Sequence, residues 1–127
     1  MGKVTNNFPK KTYFCLINLY AMKITIVSGA RPNFMKIAPI TRAIKAAQEA
    51  GKKISYRLIY TGRQDDTSLD ASLFSDLDMK RPDGYLGVTG HDHSEVAAAI
   101  MLAFEKELNN HPAQVVLVVD DLTATMS

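Results

Sequence analysis

Lys23-Ile24-Thr25-Ile26-Val27-Ser28-Gly29-Ala30-Arg31-Pro32 is the stretch on which the fold turns. The β-branched run at 23–27 is too short for a helix and reads as a buried strand. Gly29 follows where the backbone must turn sharply or approach a ligand closely. Pro32 suits the first turn of a helix, where its fixed φ and missing N–H cost little. Arg31 therefore stands between a strand end and the amide-rich start of a helix. A cation is unfavourable there unless an anion sits between the two, and phosphate is the obvious anion. The stretch reads either as a phosphate-binding loop or as a strand-to-helix connection carrying a solvated arginine.

Downstream, Ile37, Ile40, Ile44 and Ala47 recur at helical spacing, with Lys36, Arg42, Lys45 and Gln48 left for other faces. Pro39 predicts a kink, or a short turn before the main helix, and Gly51 is placed to end it. Lys36 lies in the first turns, as a second cation for the strand-end loop or a solvated helix lysine. A second strand spans 54–61 and ends in Thr61-Gly62-Arg63-Gln64-Asp65-Asp66. Asp66, Thr67 or Ser68 could cap a short helix whose apolar face is Leu69, Leu73, Phe74 and Leu77. The aspartates here lack the order of a calcium loop.

Pro82-Asp83-Gly84 marks a turn before a short third strand, Tyr85-Leu86-Gly87-Val88. In Thr89-Gly90-His91-Asp92-His93-Ser94-Glu95 the two histidines lack metal-site spacing, so no metal is expected. Asp92 with Glu95 three residues later reads as a capping box for a helix carrying Val96, Ile100, Ala103, Phe104 and Leu108. The run Val115-Val116-Leu117-Val118-Val119 has the signature of a parallel strand covered on both faces, and it ends in Asp120-Asp121. Adjacent strand residues point to opposite faces, which argues against a shared-proton pair; a helix cap needs one of them at most.

With 127 residues, 46% of them hydrophobic, the chain can bury one core. Three of its 15 basic residues and none of its 13 acidic ones fall in 1–21, so the rest is close to neutral. No basic stripe with interleaved aromatics tracks a nucleic acid, so no nucleic-acid partner is expected. The single cysteine, Cys15, fits a reducing compartment, and the cytoplasm is favoured. Residues 1–21 read as a loosely packed or disordered leader: their apolar run is broken by Asn18, lacks a cleavage site, and falls far short of the roughly 20 residues of a membrane span. No membrane partner is expected.

Strands alternating with helices over 22–127 predict an α/β fold, a Rossmann-like three-layer α/β/α parallel sheet in the order 3-2-1-4. The chain reverses direction between the first and fourth strands, opening a crevice at their carboxyl ends. Arg31 and Asp121 are expected at that same edge, with Thr61 and Gly62. Neither the dinucleotide fingerprint nor a Walker A loop is present, so no NAD, ATP or other cofactor is expected. An apolar fourth strand with an open outer edge predicts self-association, as a homodimer, or pairing with a complementing carboxyl-terminal half.

From 22 to 127 the chain resembles the amino-terminal part of the non-hydrolysing UDP-N-acetylglucosamine 2-epimerases. The resemblance rests on Gly29-Ala30-Arg31-Pro32 with Lys36, Ala38 and Pro39, against the family pattern G-[TA]-R-P-x-x-x-K-x-A-P. It continues through Thr61-Gly62, through Leu86-Gly87-Val88 with His93 and Glu95, and through 115–121 with Thr123 and Thr125. It implies a partial amino-terminal domain of a glycosyltransferase-B-type fold and a UDP-sugar substrate. The implied chemistry is interconversion of UDP-GlcNAc and UDP-ManNAc for cell-surface polysaccharide, by elimination of UDP to a 2-acetamidoglucal and re-addition. Arg31 and Lys36 match substrate-binding positions, and Asp121 matches a carboxylate implicated in catalysis. Where the family has T-G-Q-H, this chain has Thr61-Gly62-Arg63-Gln64, and Asp120 replaces a glycine. The reading is a truncated family member inactive alone, with a non-catalytic nucleotide-binding half-domain or interaction module as the alternative.

Overall fold

The computed structural model describes residues 21–119. Along them run β1 (Met22–Ser28), α1 (Arg31–Glu49), β2 (Ile54–Tyr60), α2 (Ala71–Asp76), β3 (Gly84–Tyr85), α3 (His93–Asn110) and β4 (Val115–Val118). The four strands form one parallel sheet in the order β3-β2-β1-β4, as the sequence predicts. No helix among the described residues is long and apolar enough to cross a membrane.

The period-2 alternation of β1 and β2 separates two unequal faces. On one, Ile26, Leu58 and Tyr60 join Phe34, Ile37 and Ile44 of α1, and Leu69, Leu73 and Phe74 in and before α2, in a single apolar cluster. Phe34 is its pivot: the Phe74 ring meets it edge-on at 5.3 Å and the Tyr60 ring lies 5.9 Å away. The other face is leaner. There Arg57 Nε donates to Glu107 Oε1 of α3 at 2.5 Å, and Ile100 is the one buried residue of α3, against six in α1.

Three local expectations are corrected and one is narrowed. Pro39 lies inside α1, which runs from Arg31 to Glu49 as one helix, so no separate turn precedes the main helix. Pro39 and Met35, whose carbonyl loses its i+4 donor, are both exposed, so water can satisfy that carbonyl. The cap of α2 is Asp70, whose Oδ1 accepts from Leu73 N at 3.0 Å, and not Asp66, Thr67 or Ser68. Leu69 and Phe74 then hold the two positions of a hydrophobic staple, so the apolar contact selects the cap. The third strand is two residues long rather than four, because Gly87 turns to φ +70°. Leu86, Gly87 and Val88 still donate to the carbonyls of Tyr60, Gly62 and Thr61 at 2.9–3.0 Å, folding the two loops together. Finally, the apolar run at 115–119 forms an edge strand among the described residues. Val115, Val116 and Val118 remain 42%, 41% and 42% exposed rather than covered on both faces.

Asp92 caps α3, accepting from Ser94 N at 2.8 Å and not through the expected box with Glu95, and Gly51 at φ +88° follows the end of α1.

Candidate functional site

At the carboxyl edge of the sheet the strand-end loops enclose a cleft of about 420 Å³. It is lined by Gly29 and Ala30 after β1, by Tyr60–Gly62, Arg63, Asp65 and Asp66 after β2, by Val88–Gly90, and by Val96 and Ile100 of α3. A larger hollow of about 550 Å³ lies between α1, α2 and the start of β2, at the opposite end of the strands. Open parallel sheets bind ligands at the carboxyl ends of their strands, so the smaller cleft is the candidate site.

The loop after β1 is tied down from within. Asn33 Oδ1 accepts from Gly29 N at 2.9 Å and from Ala30 N at 3.1 Å, and Asn33 N donates to Ala30 O at 3.1 Å. Pro32 has no N–H, and the Gly29, Ala30 and Asn33 amides already have acceptors. Four converging free amides are therefore not what this loop offers an anion, and the guanidinium is its principal cationic group. Asn33, buried at the third helical position, was missed in the sequence, although a side-chain acceptor at that position is the signal of reciprocal capping.

Arg31 does not line the cleft; its side chain reaches the segment before α2. Nη1 donates to Ser68 O at 2.7 Å and lies 3.8 Å from Asp70 Oδ2, an exposed and long ion pair of little energetic consequence. Nε and Nη2 have no partner among the described residues. Lys36 is exposed further along α1. Asp121 and Asp120 lie outside the described residues. Their strand does end at this edge, because Val118 registers with Val27 and so brings the end of β4 beside Ser28.

A second pair of groups was not singled out from sequence. The Tyr60 hydroxyl donates to Asp66 Oδ2 at 2.7 Å, while Asp66 Oδ1 accepts from Ser68 N at 2.9 Å. Burial, reinforced by the Asp66 carboxylate, pushes the Tyr60 hydroxyl up to about 12. The Ser68 hydroxyl and then Tyr60 hold Asp66 below the ordinary carboxylate range. Asp70 is likewise held low, first by Ser72, then by the Leu73 amide, with a smaller contribution from Arg31. Both carboxylates are thus ionised at neutral pH and Tyr60 is a fixed donor. Arg63, at the first of the two positions that depart from the T-G-Q-H pattern, is engaged by Asp65 at 2.8 and 2.9 Å. Among the described residues no group of three or more His, Cys, Asp or Glu side chains is placed to hold a metal ion.

No family model matches the chain. It is 26% identical over 106 residues to the UDP-N-acetylglucosamine 2-epimerase of Methanocaldococcus jannaschii, covering 84% of this chain and 28% of that protein. To the UDP-2,3-diacetamido-2,3-dideoxy-D-glucuronate 2-epimerase of Pseudomonas aeruginosa it is 27% identical over 106 residues, covering 84% and 29%. The crystal structure of the M. jannaschii UDP-GlcNAc 2-epimerase in complex with UDP-GlcNAc and UDP matches with a TM-score of 0.67 and 27% identity, over 81% of this chain and 27% of that one. The fold is a Rossmann-like α/β sheet of the glycosyltransferase-B type, which the chain matches in part. In sequence and fold the chain is similar to the UDP-N-acetylglucosamine 2-epimerases, and it spans little more than a quarter of the length of the relatives it matches.

Proposed function

We propose that this chain supplies the amino-terminal, nucleotide-sugar-binding part of a UDP-GlcNAc 2-epimerase site. Arg31 and Lys36 bind the diphosphate of the UDP-sugar, and Asp121 acts in catalysis or holds the sugar. The observation that carries this reading is the half-engaged guanidinium of Arg31. One amino group is anchored on the Ser68 carbonyl, while the Nε/Nη2 edge is open among the described residues. An arginine anchored on one side and open on the other is pre-organised for a phosphate, which it takes with two parallel hydrogen bonds.

In the proposed reaction a base removes the C2 proton. Its electron pair forms the C1–C2 double bond as the C1–O bond breaks and UDP departs, leaving a 2-acetamidoglucal. UDP adds back to C1 while C2 is protonated from the other face. Negative charge grows on the departing diphosphate, and Arg31 and Lys36 stabilise it there. We infer that residues 22–127 by themselves do not turn over UDP-GlcNAc and that a carboxyl-terminal half or a second copy completes the site; the match covers about 28% of the relative's length. The cytoplasm, a reducing compartment, is where we place it.

Calorimetric titration with UDP tests the binding half of this reading. Wild-type chain should bind, and Arg31→Ala should weaken binding by roughly tenfold or more, the scale of a lost charge-assisted hydrogen bond. Equal affinities would overturn the role of Arg31. Incubation with UDP-GlcNAc should give no UDP-ManNAc; formation at a rate abolished by Asp121→Asn would overturn the inactivity.

A further inference from the structure

The groups that hold the Arg31 guanidinium belong to the segment 66–70, and that segment is fixed from inside the sheet. Tyr60, the last residue of β2, is buried, with its ring against Phe34. Its hydroxyl donates to Asp66 Oδ2 at 2.7 Å. The other oxygen of the same carboxylate accepts from Ser68 N at 2.9 Å, and Leu69 N donates to Asp66 O at 3.1 Å. Ser68 O then accepts from Arg31 Nη1 at 2.7 Å. A contiguous set of short hydrogen bonds runs from the core of the sheet to the cation. Both carboxylate oxygens of Asp66 are engaged, one by the core and one by the loop, which distinguishes it from a loop acid facing only water.

We propose that Tyr60 and Asp66 are positioning residues for Arg31: they fix the Ser68 carbonyl, and through it the direction in which the guanidinium presents its open edge to the ligand's phosphate. The inference rests on the reading of Arg31 as a diphosphate-binding residue. A free arginine loses rotamer entropy when it is ordered on a ligand. An arginine ordered beforehand through Ser68 loses less. The exposed Asp70 contact at 3.8 Å is too long to do this by itself.

Two variants, Tyr60→Phe and Asp66→Asn, test the proposal, each with two readouts on the full chain. The first is rotation of the Arg31 guanidinium about its Cζ–Nε bond, followed by NMR on the Cζ carbon and assigned with Arg31→Lys. The second is UDP affinity by calorimetry, in wild-type and Arg31→Ala backgrounds. Rotation should accelerate several-fold in both variants, while UDP affinity falls about threefold to tenfold. In the Arg31→Ala background either substitution should cause no further loss, because the effect travels through Arg31. Unchanged rotation, or losses that add to that of Arg31→Ala, would overturn the proposal. If wild-type chain fails to bind UDP, the functional reading falls and the rotation measurement alone decides this one.

Discussion

At the residue scale, Tyr60 joins packing to polarity: its ring stands at 80° to that of Tyr85, centroids 6.3 Å apart, while its hydroxyl faces Asp66. Its hydroxyl titrates near 12 in the folded chain against about 10 in an unfolded one. A group whose folded value is raised contributes stability in full below its unfolded value and loses it as pH rises through the folded value. The stability due to Tyr60 should therefore be intact below about pH 10 and lost towards pH 12, with Tyr→Phe at this position flattening that alkaline limb. Asp66 runs the other way: its folded value is lowered, so its contribution is present above the ordinary carboxylate range and lost in acid. Chemical denaturation across pH checks both limbs. Gly62 is constrained by the same ring, for a Cβ there would lie 2.5 Å from Tyr60 Cε2. Gly62→Ala should cost about 1–3 kcal/mol by overpacking, read as a lower urea midpoint, and an unchanged midpoint would contradict it.

Two helix ends follow one design with different residues. After α1, Lys52 N donates to Ala47 O and Gly51 N to Gln48 O, each at 3.0 Å, with Gly51 at φ +88°. After α2 the same pair of bonds recurs, Met79 N to Phe74 O at 3.0 Å and Asp78 N to Ser75 O at 3.1 Å, with Asp78 at φ +51°. This arrangement requires a left-handed residue, which glycine adopts freely and aspartate does at a cost. Met79 and Phe74 sit in or against the same apolar cluster, and that burial holds Asp78 in place. Asp78→Gly should therefore stabilise the chain by up to about 1 kcal/mol, an upward shift of several degrees in Tm. A lower Tm would show that the Asp78 side chain makes a contribution larger than its backbone cost.

At the scale of the whole molecule the two faces and two edges of the sheet are unequal. The α1/α2 face carries the apolar cluster, whereas β4 has one strand neighbour among the described residues and leaves Val115, Val116 and Val118 more than two-fifths exposed. On α3, Met101 and Leu102 add exposed apolar surface, at 56% and 65%. A flat apolar edge without charge pairs with other chains. Sedimentation at micromolar concentration should show dimers or larger species, and Val116→Lys should move the distribution towards monomer. A monomeric wild-type chain with a cooperative thermal transition would refute this.

What the sequence by itself determined is the alternation of strands and helices, the 3-2-1-4 order, the Asp92 cap and the edge at which Gly29, Thr61 and Gly62 meet. These follow from periodicity, from capping residues and from the handedness of parallel crossovers, all of which are properties of short stretches. The tertiary structure alone decided the continuation of α1 through Pro39, the cap at Asp70, the exposure of 115–118 and the engagement of Arg31 by the Ser68 carbonyl. Each of those depends on what lies across from the residue in space. Solvent beside Pro39, Phe74 below Leu69, the carboxamide of Asn33 and a hydroxyl at the end of a neighbouring strand decide between local options that one segment leaves nearly equal in energy.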